Sequence, residues 1–216
     1  MTHRDLAVLQ LALYAGDAGQ YDYICDGSTD DDVVYGIVKR GDLTVVVLRG
    51  SITFTDWWRD FQAFPHASVS HPQLGQVHAG FFKGMEATWA EISSKVTGPW
   101  VVIGHSLGAA RATILAGLAA SSGRAPVARV VWGEPLCCFD RGAFYIRQIP
   151  GTSYINRHST IPQVHDPVPD LPPPIGYTRV TLMTGICCQP RNPLILKDWH
   201  AMSLYAQATP EKQVNS

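Results

Sequence analysis

A single serine stands between two glycines in the segment "GHSLG" at 104–108. The apolar run "WVVI" precedes the segment, and small and apolar residues follow it for three helical turns. Where a buried strand turns sharply into a helix, glycines avoid steric clashes and the serine hydroxyl is left exposed beside the free N–H groups of the helix N-terminus. The pattern therefore predicts a nucleophile at Ser106, the alternative being a simple turn of small residues.

A serine nucleophile needs a base, and that base needs a carboxylate to orient it. Histidines follow the serine at three positions: His158, His165 and His200. If the triad follows the chain order serine, acid, histidine, a base at His158 requires an acid between it and Ser106, and the acids there are Glu134 and Asp140. If the acid is Asp166 or a later residue, His200 is the base that remains.

The surroundings of Asp166 and His200 favour this second solution. Asp166 lies in "HDPVPDLPPP", where prolines stiffen the loop, and His200 follows Asp198 at the start of the last predicted helix. Taken singly, the first could be a turn residue before Pro167 and the second an exposed helical residue. Their joint occurrence with the "GHSLG" segment favours the triad Ser106, Asp166 and His200.

Composition indicates a globular protein. The chain has 216 residues, of which 46% are apolar and 16% charged, and a net charge of −1. That length suits one domain over residues 1–216 with a sizeable core. Lysine and arginine do not cluster, so nothing indicates a nucleic-acid partner, and no apolar run reaches the roughly 18 residues of a transmembrane helix. The sequence predicts no particular oligomeric state.

The N-terminal segment predicts a packing helix more than a secretory signal. Leu6, Leu9 and Leu13 fall on one helical face, whereas Asp5 stands in the region that should be basic and Gln10 interrupts the apolar run. Without a convincing signal peptide, we expect a cytoplasmic protein or one released by a non-classical route.

The five cysteines are Cys25 and the neighbouring pairs Cys137–Cys138 and Cys187–Cys188. An odd number without a signal peptide argues against a disulfide framework, and CxxC zinc spacing is absent. We expect five free thiols and no metal site. A bridge between the two pairs is the alternative, because both segments could flank the same face.

Strands alternate with helices along the sequence. A hairpin turning at Gly41–Asp42 is predicted for "DVVYGIVKR" and "LTVVVLRG". Further strands are predicted at "WVVIG", "VARVVWG", "SYINR" and "YTRVTLM" (100–104, 127–133, 153–157 and 177–183). Helices are predicted over 80–96 ("GFFKGMEATWAEISSKV"), over 108–121 and over 198–208 ("DWHAMSLYAQA"). The alternation indicates an α/β sheet covered on both faces.

Several segments, in chain order, resemble those of the class 3 lipases, the family of fungal triacylglycerol lipases. They are "VVVLRGSITFTDWWRD", "VHAGFF", "GHSLGAA", "HDPVPDLPP" and "DWHAMSLY". The resemblance covers roughly residues 33–205, and the combination is far more specific than one motif. It implies an α/β-hydrolase fold, with a mostly parallel central sheet and helices on both faces. It also implies a serine carboxylic-ester hydrolase that acts on acylglycerols.

The resemblance assigns roles to individual residues. It implies Ser106 as nucleophile, Asp166 as acid and His200 as base. The backbone N–H of Leu107, directly after the nucleophile, is one expected oxyanion donor, and the resemblance supplies Ser51 as the other. This chemistry requires no metal or organic cofactor. We expect a lipid or ester substrate, met at a lipid–water interface.

Residues 51–64, "SITFTDWWRDFQAF", occupy the position of the family's lid. Aromatic residues recur there at helical spacing: Phe54, Trp57, Trp58 and Phe61. A short amphipathic helix at this place could cover the pocket in water and turn its apolar face to a lipid surface when open. We therefore expect these side chains to contact substrate, the alternative being a helix packed in the core.

The sequence also departs from the family pattern. Ala109 replaces a second glycine after the elbow, and "GEPLCCFD" at 133–140 replaces the family's Gly-x-Pro-Arg-Val-Gly turn, which changes the expected pocket edge. The same triad would also suit a short-chain or feruloyl-type esterase or a phospholipase. In a different class, the chain could be a catalytically inactive binding protein on the hydrolase fold.

Overall fold

The computed structural model describes residues 1–27, 33–50, 68–161, 164–172, 176–188, 190 and 196–214. The strands in these ranges are β1 (Tyr23–Cys25), β2 (Tyr35–Arg40), β3 (Leu43–Leu48), β4 (Ser68–His71), β5 (Gly75–His78), β6 (Trp100–His105), β7 (Ala128–Trp132), β8 (Gly151–Asn156) and β9 (Met183–Ile186). The α-helices are α1 (His3–Ala15), α2 (Ala79–Phe82), α3 (Met85–Lys95), α4 (Leu107–Ser121), α5 (Asp140–Arg147), α6 (Leu196–Trp199) and α7 (Met202–Ala208). Short 3₁₀ helices span Ala18–Gln20 and Val168–Asp170.

A mixed sheet forms the centre of the described structure, with the strand order β1-β2-β3-β6-β7-β8-β9. β2 runs antiparallel to its neighbours β1 and β3, and the five strands β3, β6, β7, β8 and β9 run parallel. The strands β4 and β5 form a separate antiparallel pair. The carboxyl ends of the parallel strands therefore lie along one edge of the sheet, which is where ligand sites of α/β folds form.

The hairpin predicted at Gly41–Asp42 is confirmed. Arg40 pairs with Leu43, so two residues make the turn, and Gly41 has a φ of +61°, which glycine adopts without steric cost. The predicted strands at β6 and β7 are also confirmed, and every residue of both is buried. Strands covered on both faces carry mostly apolar residues, which explains both sequences apart from His105 of β6 and Arg129 of β7.

Alternating residues of the central strands pack into two separate cores. Val46 and Val102 face the layer that contains α4, whereas Val45 and Val101 face the layer that contains α1. The helix α4 is buried from Gly108 to Ala119, which agrees with its small and apolar composition.

The packing helix predicted at the N-terminus is confirmed as α1. The residues of its apolar face, Leu6, Leu9 and Leu13, are at most 5% exposed. Thr2 and Asp5 cap the start of the helix reciprocally, and Gly16 ends it in the left-handed conformation.

Three of the predicted elements need correction. The helix predicted over 80–96 is divided into α2 and α3 at Gly84, whose φ of +77° is incompatible with a continuous helix. The strand predicted over 177–183 is wrong, because pairing with β8 begins at Met183. The closing helix predicted over 198–208 is interrupted at His200–Ala201, between α6 and α7.

Candidate active site

Ser106 occupies a strained turn between β6 and α4. Its φ of 59° and ψ of −129° make it the one non-glycine residue with a positive φ in the described part of the chain. A Cβ on Gly104 would lie 2.1 Å from the Gly108 carbonyl oxygen, and one on Gly108 would lie 2.3 Å from the Leu48 carbonyl oxygen. Both flanking positions therefore require glycine. Strain at a single serine, held by such tight packing, is the geometry of a nucleophile elbow.

Asp166 and His200 form a buried pair at the same edge of the sheet. His200 Nδ1 lies 2.6 Å from Asp166 Oδ2, and the two side chains are 4% and 0% exposed. Asp166 follows β8, with its backbone N–H bound to the Asn156 carbonyl, and His200 lies in the break between α6 and α7. The interruption of the closing helix thus places the imidazole against the carboxylate.

The hydrogen bonds around Asp166 keep it ionised. Burial raises its pKa, but the nearby charge of His200 and hydrogen bonds from His200, Tyr205 and the Val168 N–H together lower the pKa below its usual value. The Val168 N–H donates to Oδ1 at 2.9 Å, and the Tyr205 hydroxyl donates to Oδ2 at 2.5 Å. A carboxylate held in this way fixes the orientation of the imidazole that it accepts from.

Gly133 brings the acid–base pair close to the elbow. A Cβ at this position would lie 2.6 Å from His200 Cε1 and 3.0 Å from Asp166 Oδ2. Directly before it, the Trp132 carbonyl accepts the Ser106 N–H at 3.0 Å. The end of β7 therefore contacts the serine at Trp132 and the Asp166–His200 pair at Gly133, so the three predicted residues lie around the same strand end.

Asn156, which the sequence analysis did not select, organises the segments that carry the pair. Its side-chain Nδ2 donates to the Cys188 carbonyl at 2.9 Å and to the Trp199 carbonyl at 3.2 Å, and its Oδ1 accepts the Cys188 N–H at 3.0 Å. Its backbone N–H donates to the Tyr205 hydroxyl at 3.1 Å. A polar residue at the carboxyl end of a buried parallel strand was the available signal.

The described part of the predicted oxyanion site is compatible with that role. Leu107 is the first residue of α4, and the N–H groups of a helix's first turn have no partner within the helix. A Cβ on Gly50 would lie 3.2 Å from the Ser106 Cβ, so the chain after β3 passes directly beside the elbow. Five predicted residues lie outside the described residues and stay predictions: Ser51, Phe54, Trp57, Trp58 and Phe61.

The alternative acids are engaged elsewhere. Glu134 forms a buried ion pair with Arg129 at 2.7 Å and also contacts the Thr113 hydroxyl. Asp140 begins α5 and accepts a hydrogen bond from the Thr178 hydroxyl at 2.6 Å. The unusual glutamate at the predicted pocket edge is thus balanced by a buried arginine on the preceding strand.

The alternative histidines have local partners in the structure. His165 pairs with Asp170 at 2.6 Å, and the His158 Nδ1 accepts the backbone N–H groups of Thr160 and Ile161 at 3.2 Å. These contacts lie within the described segments 158–161 and 164–170. Of the three candidates, His200 is the one whose ring nitrogen contacts Asp166.

The five cysteines are free in the structure. The Sγ atoms of Cys137 and Cys138 are 3.5 Å apart and buried, and Cys187 is exposed. Among the described residues, no group of three or more His, Cys, Asp or Glu side chains is arranged to hold a metal ion. In the same part of the chain, no helix has the length and apolar character to span a membrane.

Comparison with known proteins identifies the family. The family described as Lipase (class 3) matches residues 45–175, which is more than half of the chain. The chain belongs to the class 3 lipase family. A secreted mono- and diacylglycerol lipase 1 of Fusarium solani is 34% identical over 146 residues, which are 63% of this chain and 42% of that protein. The chain thus spans less than half the length of this curated relative.

Solved lipase structures share the fold. The native lipase–propeptide complex of Rhizomucor miehei superposes with a TM-score of 0.63 at 21% identity, covering 83% of this chain and 66% of that one. The mono- and diacylglycerol lipase of Aspergillus oryzae gives a TM-score of 0.63 at 21% identity, covering 80% and 65%. The expected α/β-hydrolase fold, with its mostly parallel sheet and flanking helices, is confirmed.

Proposed function

We propose that this chain is a serine hydrolase that cleaves the carboxylic esters of acylglycerols through an acyl-enzyme on Ser106. The observation that carries the proposal is the buried 2.6 Å contact between His200 and Asp166 beside a strained serine elbow. Ion pairs and strained residues also occur for structural reasons. Their coincidence at the carboxyl edge of a parallel sheet, in a member of the class 3 lipases, favours catalysis.

In this proposal each proton transfer has a defined direction. Because Asp166 is ionised, it accepts a hydrogen bond from the His200 Nδ1–H, and Nε2 is left unprotonated as the basic nitrogen. This nitrogen removes the Ser106 proton as the oxygen attacks the ester carbonyl. It then returns the proton to the departing alcohol, and water releases the acyl group by the same sequence in reverse.

The negative charge of the tetrahedral intermediate requires donors near Ser106. The Leu107 N–H at the start of α4 is one, and the N-terminus of that helix contributes partial positive charge. Our proposal retains Ser51 as the second donor, on the basis of the family resemblance and the position of Gly50 beside Ser106.

Mono- and diacylglycerols are the substrates that we propose first. This choice rests on two matched proteins, from Fusarium solani and Aspergillus oryzae, whose names state that activity. The chain belongs to a lipase family, and the triad chemistry does not itself distinguish acylglycerols from other esters. The substrate class therefore has to be measured.

The experiment is a comparison of esters with the purified chain. Mono-, di- and triacylglycerols of one acyl length are compared with a phospholipid, a feruloyl ester and a dissolved nitrophenyl ester. We expect the highest kcat/KM among the lipid substrates for a mono- or diacylglycerol, and complete inhibition by a serine-directed phosphonate. A folded protein that hydrolyses none of these esters and takes up no phosphonate would overturn the proposal in favour of a binding protein.

A further inference from the structure

The ring of His105, the residue before the proposed nucleophile, connects two parts of the site. Its Nε2 lies 2.8 Å from the His200 carbonyl oxygen, and its Nδ1 lies 3.0 Å from the Tyr14 hydroxyl. The same hydroxyl lies 3.0 Å from the backbone nitrogen of Gly50. A buried histidine therefore stands between the proposed base and the chain segment after β3.

The directions of these hydrogen bonds follow from the chemistry of the groups. Because a carbonyl oxygen accepts, His105 Nε2 must carry a proton. Burial and the nearby His200 lower the pKa of His105 to about 3, so its ring is neutral at pH 7 and Nδ1 carries no proton. Nδ1 then accepts from the Tyr14 hydroxyl, whose oxygen accepts from the Gly50 N–H. Three hydrogen bonds thus form one directed chain.

We propose that Tyr14 and His105 are positioning residues, which hold the oxyanion side of the site and the base in fixed relation to Ser106. This inference rests on the proposed function. Gly50 immediately precedes Ser51, the proposed second oxyanion donor, and Gly50 itself packs against Ser106. The His105 ring holds the Gly50 N–H, through Tyr14, and also holds the His200 carbonyl. The oxyanion donor and the base, which act on the same ester, are therefore both positioned relative to this one ring.

Ring packing adds to the constraint on the base. The His105 and His200 rings are stacked, with centroids 4.5 Å apart and an interplanar angle of 28°. The Tyr14 ring meets His105 edge-on, with centroids 5.6 Å apart. Rotation of His200 about its side-chain bonds would therefore disturb His105, which belongs to the same rigid turn as Ser106. A catalytic group displaced by about 1 Å can lose about a hundredfold in rate, so such a constraint is measurable.

The fold provides a matched control outside this chain of hydrogen bonds. His3 Nδ1 lies 2.8 Å from the Tyr154 hydroxyl, and their rings meet edge-on with centroids 5.9 Å apart. This second tyrosine–histidine pair is buried, whereas Tyr14 is partly exposed, and it has the same chemistry and nearly the same geometry as Tyr14–His105. Its hydrogen bond takes no part in the chain from Gly50 to the His200 carbonyl. Substitutions in it therefore report the structural cost alone.

The experiment measures kcat and KM on a dissolved short-chain ester for Tyr14→Phe, His105→Phe and the controls Tyr154→Phe and His3→Phe. We expect kcat to fall by about 10–100-fold in the first two variants, with KM changed by less than about threefold. The controls should keep kcat within about twofold, even where thermal unfolding shows the same loss of stability. Wild-type kcat in both Tyr14→Phe and His105→Phe would overturn the inference.

Two conservative variants separate the halves of the chain of hydrogen bonds. His105→Gln retains a donor near the Nε2 position for the His200 carbonyl, and His105→Asn retains an acceptor near the Nδ1 position for Tyr14. Each should recover part of the kcat lost in His105→Phe, at least threefold. If neither recovers any activity, the hydrogen bonds are not the cause and the inference fails.

Failure of this inference is distinguishable from failure of the proposed function. If the wild-type chain hydrolyses no ester and takes up no phosphonate, the proposed function has failed, and this inference fails with it. If wild-type protein is active and Ser106→Ala is inactive, but Tyr14 and His105 variants keep full kcat, only the positioning role is lost. The tautomer of His105 can be measured by ¹⁵N NMR and gives a test that does not depend on activity. A protonated Nδ1 would contradict the directed chain of three hydrogen bonds.

Discussion

Tyr205 donates a hydrogen bond to Asp166 Oδ2, the same oxygen that accepts the His200 Nδ1–H, at 2.5 Å and 2.6 Å respectively. The Tyr205 oxygen in turn accepts the Asn156 N–H at 3.1 Å. Burial and the adjacent carboxylate raise the pKa of Tyr205 well above its usual value, so the hydroxyl keeps its proton and acts as a donor at neutral pH. The acid of the proposed triad is therefore held from the end of β8 as well as from its own loop.

Removing this hydroxyl should weaken both stability and turnover. For Tyr205→Phe, we expect the free energy of unfolding to fall by about 1.5–3 kcal/mol, as for a hydrogen bond to a charged group. We also expect kcat to fall roughly tenfold, because the carboxylate would hold the imidazole less firmly. Urea unfolding and ester hydrolysis check the two effects.

Tyr177→Phe is the matched control for this substitution. The Tyr177 hydroxyl is buried and has no hydrogen-bond partner among the described residues, so its removal should cost less than about 0.5 kcal/mol and leave kcat unchanged. Equal losses in the two variants would show that Tyr205 contributes through packing and not through its bond to Asp166.

The choice of base can be tested with three alanine substitutions. His200→Ala should lower kcat by about a thousandfold or more, because it removes the base of the triad. His165→Ala and His158→Ala should keep kcat within about tenfold, since these side chains serve local turns. If His158→Ala alone silenced the enzyme, the acid would have to be Glu134 or Asp140, and the role of Asp166 would be wrong.

The buried Glu134–Arg129 pair predicts a large effect on stability. Arg129 is fully buried, and its charge is balanced by Glu134 at 2.7 Å. For Glu134→Gln, we expect the free energy of unfolding to fall by about 3–5 kcal/mol, because the arginine would be left buried without its counter-charge. The melting temperature and urea midpoint provide the measurement.

An exposed ion pair serves as the control for Glu134. Glu211 lies 3.3 Å from Arg4, and both side chains are largely exposed. Glu211→Gln should change the free energy of unfolding by less than about 0.5 kcal/mol, because surface pairs contribute little. A Glu134→Gln protein as stable as wild type would mean that water or another carboxylate balances Arg129.

Stability should fall with acidification because His105 is buried in its neutral form. Its folded pKa of about 3 lies below the unfolded value of about 6.5. Between these pH values the unfolded chain binds a proton that the folded chain does not. The contribution of His105 to the free energy of unfolding is therefore complete above pH 6.5, and it is lost as the pH falls, by about 1.4 kcal/mol per pH unit. Urea unfolding at pH 7, 6 and 5 measures the slope.

Comparison with His105→Gln isolates the contribution of this histidine to the slope. The variant retains the other titrating groups, including His3, whose pKa burial and Lys212 lower to about 4. Below pH 6.5 only the wild type loses the contribution of His105. We therefore expect its advantage in unfolding free energy over the variant to shrink by about 1 kcal/mol per pH unit. A difference that is constant from pH 7 to pH 5 would show that His105 becomes protonated within the fold.

Local sequence patterns were sufficient for the centre of the fold. The apolar residues 100–103 of β6 and 130–132 of β7 are typical of strands covered on both faces, and Gly41–Asp42 indicated a hairpin turn. Such patterns fail where tertiary contacts override them. Gly84 broke a segment with helical periodicity, and pairing with β8 selected Met183–Ile186, not the more strand-like residues before it.

The proposed triad could be selected from the sequence because motif and chain order restrict the choice of residues. Its supporting residues could not. Tyr14 is 91 positions from His105, and Tyr205 is 39 positions from Asp166, so nothing local in the sequence predicts that they meet. His105 was visible within "GHSLG", but only its neighbours in space show that its two ring nitrogens bind different segments.

The most direct test of the account is the turnover of a dissolved nitrophenyl ester by Ser106→Ala, with Ser153→Ala as the matched control. Ser153 is a buried serine on β8 that has no role in the proposed chemistry. We predict that Ser106→Ala loses about a thousandfold or more in kcat while its unfolding transition is retained, and that Ser153→Ala stays within about twofold of wild type. Wild-type turnover by folded Ser106→Ala protein would contradict the assignment of the nucleophile, and with it the proposed function.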